Sequence, residues 1–337
     1  MRLDWKAGLG IALSAVLLWW TLHDIDFAVV WSVLRASNAW LWLAATIAAT
    51  LIFPVRARRW RTILDPVVPR LPFGPLWRAT AVGMMVNNVA PARAGEIARV
   101  VTLVRERPDV PFTGALASLA VDRAFDAVVL LLLLFVAPLD PAFPHGVRLY
   151  GESVPTLAFG TALITVVLLA GLYAVVIAPE AFARLLGRVT RRVAPHWEER
   201  GTRAVRSFAD GLGVLRDPRR FAAVFAWSIA HWLLCAWSVW IGFRAVGITA
   251  PFSAALFLNS LLSVASAVPA SPGFFGLFES VSRVGLAVYG VPATLAVSWA
   301  LGYHVLTFIP ITVLGFVHLA QLGLTLHQVA DTAGAPA

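Results

Sequence analysis

Charge is what this sequence has least of. Asp, Glu, Lys and Arg make up 13% of the 337 residues, against 59% hydrophobic residues and a mean hydropathy of +0.79. A soluble chain of this length needs far more polar surface, so the composition excludes a water-soluble globular fold and points to an all-α polytopic membrane protein. Cysteine is nearly absent. The single Cys235 lies in an apolar run, which excludes an intrachain disulfide and leaves the compartment unread. Metal-type His/Cys clusters and the HExxH, GxSxG and phosphate-loop patterns are missing. Asp24-Ile-Asp26 has the spacing of a glycosyltransferase metal motif, but a short external loop is a poor place for a nucleotide-sugar site. No cofactor or metal is expected. The net charge is +9, nearly all of it from arginine. With no polar domain of about 100 residues to carry it, this charge reports membrane topology rather than nucleic-acid binding.

Apolar runs long enough to cross a bilayer recur near 6–22, 38–55, 112–138, 156–178, 221–246 and 293–324. Arg2 and Lys6 ahead of the first run resemble a signal sequence. No small-x-small cleavage site follows, so it reads as an uncleaved span. Two further apolar stretches are interrupted, about 76–106 at Pro91 to Gly95 and about 252–290 at Pro269 to Gly273. Arg56, Arg58, Arg59, Arg61, Arg70 and Arg78 precede the first, and Arg105 and Arg107 follow it. Both of its ends then lie on the cytoplasmic side, and arms of about 15 residues, roughly 22 Å, make it a re-entrant hairpin. The second stretch has uncharged flanks and enters from outside, while the loop 180–220 carries ten arginines and stays inside. That loop also repeats apolar residues at helical spacing. This pattern fits basic helices on an anionic leaflet and equally fits a loop held inside by its charge.

The reading is a single membrane domain, 1–337, with six spans and both termini cytoplasmic. It is built from two inverted repeats, 6–138 and 156–324, each holding one re-entrant hairpin. The breaks share a pattern, Pro91-Ala92-Arg93-Ala94-Gly95 against Pro269-Ala270-Ser271-Pro272-Gly273. Inverted-repeat transporters form their sites at such broken helices. The second half of a broken helix starts with unpaired N–H groups and the positive end of a dipole, which suits an anion. Arg93 adds a full charge that can fork onto phosphate oxygens. An anionic headgroup site is therefore expected from Asn88, Pro91, Arg93, Gly95, Glu96, Arg99, Ser271 and Gly273.

Other ionisable residues lie deep in apolar stretches: Asp122, Arg123 and Asp126 in one span, Glu279 and Arg283 in the second hairpin. Charges at that depth must be paired or hydrated. They read either as gating ion pairs or as structural clamps. His231 and His304 are candidate proton carriers, although a lone intramembrane His more often packs through a hydrogen bond. Asn87, Asn259, Ser263 and Ser266 add neutral polar groups of the kind that also glue helices.

These residues resemble the transmembrane, flippase-like family named for lysylphosphatidylglycerol synthase. The matching elements are Asn88 to Pro91 with Gly95-Glu96 and Arg99, then Asp122-Arg123 with Asp126, then Pro269, Pro272-Gly273 and Glu279. The family usually has Glu-Arg where this chain has Asp122-Arg123. Members with aminoacyl-transfer activity carry a soluble domain after the membrane part. This sequence ends at Ala337, about 13 residues past its last span, so the resemblance implies lipid movement rather than lysine transfer. It also implies an anionic phospholipid or a polyprenyl-phosphate lipid as partner, in a bacterial cytoplasmic membrane. The expectation is a flippase or scramblase that is not an enzyme. The rivals are a transferase acting on a polyprenyl-phosphate substrate and a secondary transporter for a small soluble anion.

Overall fold

The computed structural model describes residues 5–90, 94–144, 217–266 and 271–325, with scattered positions between 146 and 184 and at 328. Most of the stretch 156–178 and of the loop 180–220 lies outside the described residues, as do Pro91, Arg93 and Pro269 at the breaks. The described chain is helical almost throughout. It begins with α1 (Trp5–Leu22), α2 (Phe27–Ala36), α3 (Ala39–Leu64), α4 (Phe73–Val89), α5 (Gly95–Glu106) and α6 (Phe112–Val136). A short antiparallel β pairing follows, Arg148 opposite Ser153 and Leu149 opposite Glu152. Then come α7 (Pro218–Ala245), α8 (Phe252–Ala265), α9 (Leu277–Ala287) and α10 (Ala293–Gln321).

Proline and short polar side chains start these helices. Pro72, Pro111, Pro251 and Pro292 are the N-cap residues of α4, α6, α8 and α10. There the missing N–H costs the helix nothing, and the ring pushes the residue before it out of the helical region. Asp26, Asn38 and Asp217 cap α2, α3 and α7 by accepting backbone N–H bonds, each worth about 1 kcal/mol.

Among the described residues three helices, α3, α7 and α10, are long and apolar enough to cross a membrane, or four if α1 and α2, bent by 82°, form one span. The 25-residue α6 has the length but carries Asp122, Arg123 and Asp126. The chain is therefore an integral membrane protein. Two local expectations change. The stretch read as a short external loop holds α2, and α3 continues past the expected end at 55 to Leu64.

Both interrupted stretches are helical hairpins. In the first, Arg78 pairs with Glu106, Gly83 faces Arg99 and Asn87 faces Gly95, so α4 and α5 run antiparallel. Glycine makes the approach possible. A Cβ on Gly83 would stand 2.6 Å from the Gly95 carbonyl oxygen, and one on Gly95 would strike the Gly83 carbonyl. In the second, Gly285 on α9 lies against Leu258 and Leu261 of α8. Elsewhere α7 runs antiparallel to α3, through Asn38 N–H to the Ala245 carbonyl (2.9 Å) and Ser238 to the Ala45 carbonyl (2.7 Å). Likewise α10 runs antiparallel to α4, with Gly315 against Ala81 and Met85 and Asn88 donating to Thr312 at 2.7 Å. Lipid tails are as apolar as leucine, so dispersion and these polar bonds hold the packing, not water exclusion.

Candidate functional site

Two features meet in the interior: a knot of charge and, beside it, a cavity between the hairpin tips. The knot has contributions from three helices. Arg56 and Arg59 come from α3, Glu96 and Arg99 from α5, and Asp122, Arg123 and Asp126 from α6. Arg59 forks across both aspartates, 2.6 Å to Asp122 and 2.6 Å to Asp126. Asp122 also faces Arg99 at 3.2 Å, Arg123 at 3.3 Å and Arg56 at 3.7 Å. Glu96 pairs with Arg56 at 2.7 Å and Arg123 at 3.2 Å, and Arg123 reaches Asp126 at 3.3 Å. Ser228 and Trp232 on α7 supply further contacts to Arg59 (3.1 Å) and Asp126 (3.0 Å). The Arg99 guanidinium lies 3.9 Å from the centroid of the Trp60 ring, a cation–π contact that a desolvated site strengthens. Four arginines and three carboxylates leave a nominal +1. Arg59 and Asp122 are fully buried, while Arg123 at 46% exposure marks the open edge of the knot.

Glu96 and Arg99, expected at the headgroup site, are instead taken up by ion pairs in one cluster with Asp122, Arg123 and Asp126, expected as gating or structural pairs. Arg56 and Arg59, which the sequence reading counted as cytoplasmic topology markers, are part of it. A signal was present. Positions 45, 49, 52, 56, 59 and 63 alternate by four and three residues, one face of a helix, and Ala45, Ala49, Arg56, Arg59 and Ile63 are all buried.

The cavity has a volume of about 290 Å³ and lies where the two hairpins meet. Asn87, Asn88 and Met84 come from the first hairpin and Ser266, Gly273 and Phe274 from the second. The middles of α3 (Ala49, Ile52, Phe53) and α10 (Tyr303 to Ile311) close it. The C-terminal ends of α4 and α8 and the turn at Gly273 thus border one cavity, although not as bare helix ends. Asn87 Oδ1 accepts the Gly95 N–H at 2.9 Å, so the first N–H of α5 is already bonded. Gly273, expected to open the second half-helix, instead has φ +68 in a single 3-10 turn, and α9 starts at Leu277. There Glu279 Oε2 accepts the Gly276 N–H at 2.7 Å. Ser271 is spent as well. Its N–H donates to Ser14 on α1 at 2.8 Å and its hydroxyl to the Phe275 carbonyl at 3.0 Å.

Glu279 and Arg283, four apart in sequence, point in different directions. Arg283 forks onto Asp24 at 2.6 and 2.7 Å, tying α9 to the α1–α2 turn. That bond holds the Asp24 carboxyl below its ordinary value of 3.8. Asp24 is thus engaged by an arginine and Asp26 by the cap of α2, which accounts for both carboxylates of the DxD pattern. Glu279 meets His304, 2.6 Å from its Nδ1, on the cavity wall. His231 lies away from the cavity, buried on α7 with its ring edge-on to Trp232 at 4.9 Å. Among the described residues no group of three His, Cys, Asp or Glu side chains is placed to hold a metal.

A helical, membrane-crossing chain with paired interior hairpins and a buried charge knot defines a class, and comparison with known proteins supplies the family. Residues 8–315 match the description "Lysylphosphatidylglycerol synthase TM region", and the chain belongs to that family. It is similar to the glycosyltransferase AglD of Haloferax volcanii, 27% identical over 321 residues, which is 89% of this chain and 51% of AglD. It thus spans about half the length of that relative. Proteins named UPF0104 membrane proteins match over more of their length. One from Methanothermobacter thermautotrophicus is 26% identical over 79% of this chain and 78% of its own. PH1989 of Pyrococcus horikoshii is 21% identical over 91% and 93%.

Proposed function

We propose that this protein moves a lipid with a phosphate-bearing headgroup between leaflets of the cytoplasmic membrane, as a flippase or scramblase. In this reading six spans and two re-entrant hairpins form an inverted repeat with both termini cytoplasmic. The headgroup crosses through the cavity at the hairpin tips while the tails stay in the bilayer. The supporting observation is the position of that cavity. Its lining on α10 centres near Thr307, 14 residues from the start of a 29-residue helix, roughly 21 Å along it. A mid-depth cavity whose mostly apolar lining includes Asn87, Asn88, Ser266 and His304 offers a headgroup hydrogen-bonding groups where the bilayer has none. Since Asn87 already takes the Gly95 N–H, this reading assigns the anion contacts to Arg93 and Asn88. The charge knot behind α5 braces the first hairpin.

The test is reconstitution into phosphatidylcholine vesicles containing fluorescent phosphatidylglycerol, phosphatidylethanolamine or a polyprenyl phosphate in turn. Inner-leaflet probe should become reachable by an external quencher, and Arg93→Ala should slow it. If all three probes stay on their original leaflet, the reading fails. The likeness to a relative named as a glycosyltransferase supports a second reading, a transferase on a polyprenyl-phosphate sugar. That reading requires product formation dependent on Glu96 or Asp122 when a sugar donor is supplied.

A further inference from the structure

An imidazole on the cavity wall contacts a carboxylate buried behind it, and their hydrogen bonds fix how many protons they hold. Glu279 on α9 is fully buried, and its Oε1 lies 2.6 Å from His304 Nδ1 on α10. The other ring nitrogen, Nε2, is 2.8 Å from the Gly273 carbonyl oxygen. Glu279 Oε2 accepts the Gly276 N–H. Phe275 and Phe278 flank the imidazole, with ring centroids 4.4 and 4.5 Å away.

A carbonyl oxygen can only accept, so Nε2 carries a hydrogen. Between Nδ1 and Oε1 there must be one hydrogen. With none, two lone pairs face each other at 2.6 Å. With two, both atoms are donors and repel. Imidazolium with carboxylate and imidazole with carboxylic acid have the same proton count, so the conclusion is independent of which atom holds the hydrogen. Once the dyad loses one proton, His304 has one N–H for two acceptors, Glu279 and the Gly273 carbonyl. A buried carboxylate supported by the Gly276 N–H alone is the costlier loss, so the remaining hydrogen stays on Nδ1 toward Glu279 and the bond to the Gly273 carbonyl breaks.

We propose that the Glu279–His304 dyad is a proton-binding site that latches the tip of the second hairpin, Gly273 to Gly276, onto α10, and that release of one proton frees the tip. Its use, coupling a proton to headgroup passage, rests on the transport reading above; the latch itself does not. The charged and titratable neighbours are otherwise engaged. On α9, Arg283 is held by Asp24. On α10, Tyr303 bonds Ser238 of α7 at 2.8 Å, and Cys235 of α7 lies near that tyrosine. On α1, Ser14 and Thr21 are neutral and bonded to Ser271 and Ser280. The side chains that α3, α4 and α8 present to the cavity are uncharged.

The test uses the full chain carrying Cys235→Ala and Ser271→Cys, with a fluorophore on the new thiol and iodide quenching read against pH in micelles. Quenching should rise with pH in a single-proton step, about two pH units wide. Glu279→Gln should abolish the step and keep quenching low. Its amide N–H can donate to neutral Nδ1 while its oxygen still takes the Gly276 N–H, so all three bonds survive without a removable proton. His304→Leu should give high quenching at every pH. No step in the otherwise native dyad, or an unchanged step in Glu279→Gln, overturns the proposal. Should Glu279→Gln fail to fold, ring nitrogen resonances of His304 in the parent protein decide. The neutral ring should keep its hydrogen on Nδ1 and lose the one on Nε2 at the pH of the tip step; an Nε2 that stays protonated through the step, or loses its proton elsewhere, is fatal. Neither readout needs lipid movement. A chain with the step and no transport keeps the latch and loses the transport reading; transport without a step does the reverse.

Discussion

Asp122 is the hub of the charge knot, and removing its charge while keeping its shape should be among the most damaging conservative changes in the chain. Its carboxylate, 0% exposed, faces four guanidinium groups at separations of 2.6, 3.2, 3.3 and 3.7 Å. At an effective dielectric near 20 each attraction is roughly 4–6 kcal/mol before desolvation is subtracted. Most of that gross attraction offsets the cost of burying the charges. What a measurement reports is the loss when one partner disappears and the others stay buried, about 3–5 kcal/mol. Asp122→Asn also turns an amide N–H₂ toward arginine N–H groups, donor against donor. The knot then goes from a nominal +1 to +2. Adding Arg59→Met restores +1, with three arginines facing two carboxylates. The assay is equilibrium unfolding in mixed micelles titrated with dodecyl sulfate, followed by the fluorescence of the 14 tryptophans. Asp122→Asn should lose about 3–5 kcal/mol, and the double variant should recover more than half of that, a coupling of the kind a mutant cycle isolates. A single variant within about 1 kcal/mol of the parent, as for an exposed pair, would refute the claim that this cluster is desolvated and fastens α5 and α6 to α3.

Two other substitutions probe the hairpins. Gly95→Ala places a Cβ against the Gly83 carbonyl and the Asn87 side chain; it should cost about 1–3 kcal/mol by forcing the arms apart, whereas Gly8→Ala, with nothing within 4 Å, should leave the unfolding midpoint unchanged in the same assay. The Asp24–Arg283 clamp makes a prediction about acid. Because Arg283 depresses the folded-state pKa of Asp24, the clamp contributes fully above the unfolded value of about 4 and fades as pH falls through the folded value. The stability difference between the parent and Asp24→Asn should be constant from neutral pH to about 4 and shrink below it, and a difference that widens on acidification would contradict the pairing.

How far the sequence could be read depended on what kind of signal each feature leaves. The interrupted stretches were legible because Pro and Gly inside an apolar run have few physical meanings at membrane depth. That Asp122, Arg123 and Asp126 are paired was legible for a similar reason, since each charge there demands a partner; that Glu96 and Arg99 are among those partners was not. Arg56 and Arg59 were misassigned because counting arginines for topology treats every one as solvated. Their place on the same helical face as Ala45, Ala49 and Ile63 holds the correction, while Arg58, off that face, is exposed. How α5 and α9 start could not be read from residue types. Asn87, eight residues before Gly95, bonds its N–H only after the hairpin closes, a tertiary approach that leaves no local pattern. Glu279 closes a local capping box onto the Gly276 N–H, but its N-cap is a glycine at φ 85°, without the Ser, Thr, Asp or Asn that usually marks a helix start. The α2 helix was hidden differently. Its ten residues, with Phe27, Val29 and Trp31 exposed, resemble a hydrophobic connection until the 82° bend sets them across the end of α1.

The two hairpins share a backbone plan and differ in how firmly they are held. Shifting α5 means separating Arg56 from Glu96 and Arg99 from Asp122 inside the protein, where breaking a buried pair costs several kcal/mol. Releasing the tip 271–276 means giving up the Ser271 N–H bond to Ser14 and the His304 contacts. Neutral bonds of this kind are worth about 1 kcal/mol each, and the latch weakens as soon as the dyad loses one proton. A cavity bounded by one stiff wall and one latched wall opens on the latched side first. Under the transport reading, the first hairpin is then the fixed surface that grips the headgroup and the second is the gate. A reporter at Ser271 sits on the hairpin tip held by the fewer charged contacts.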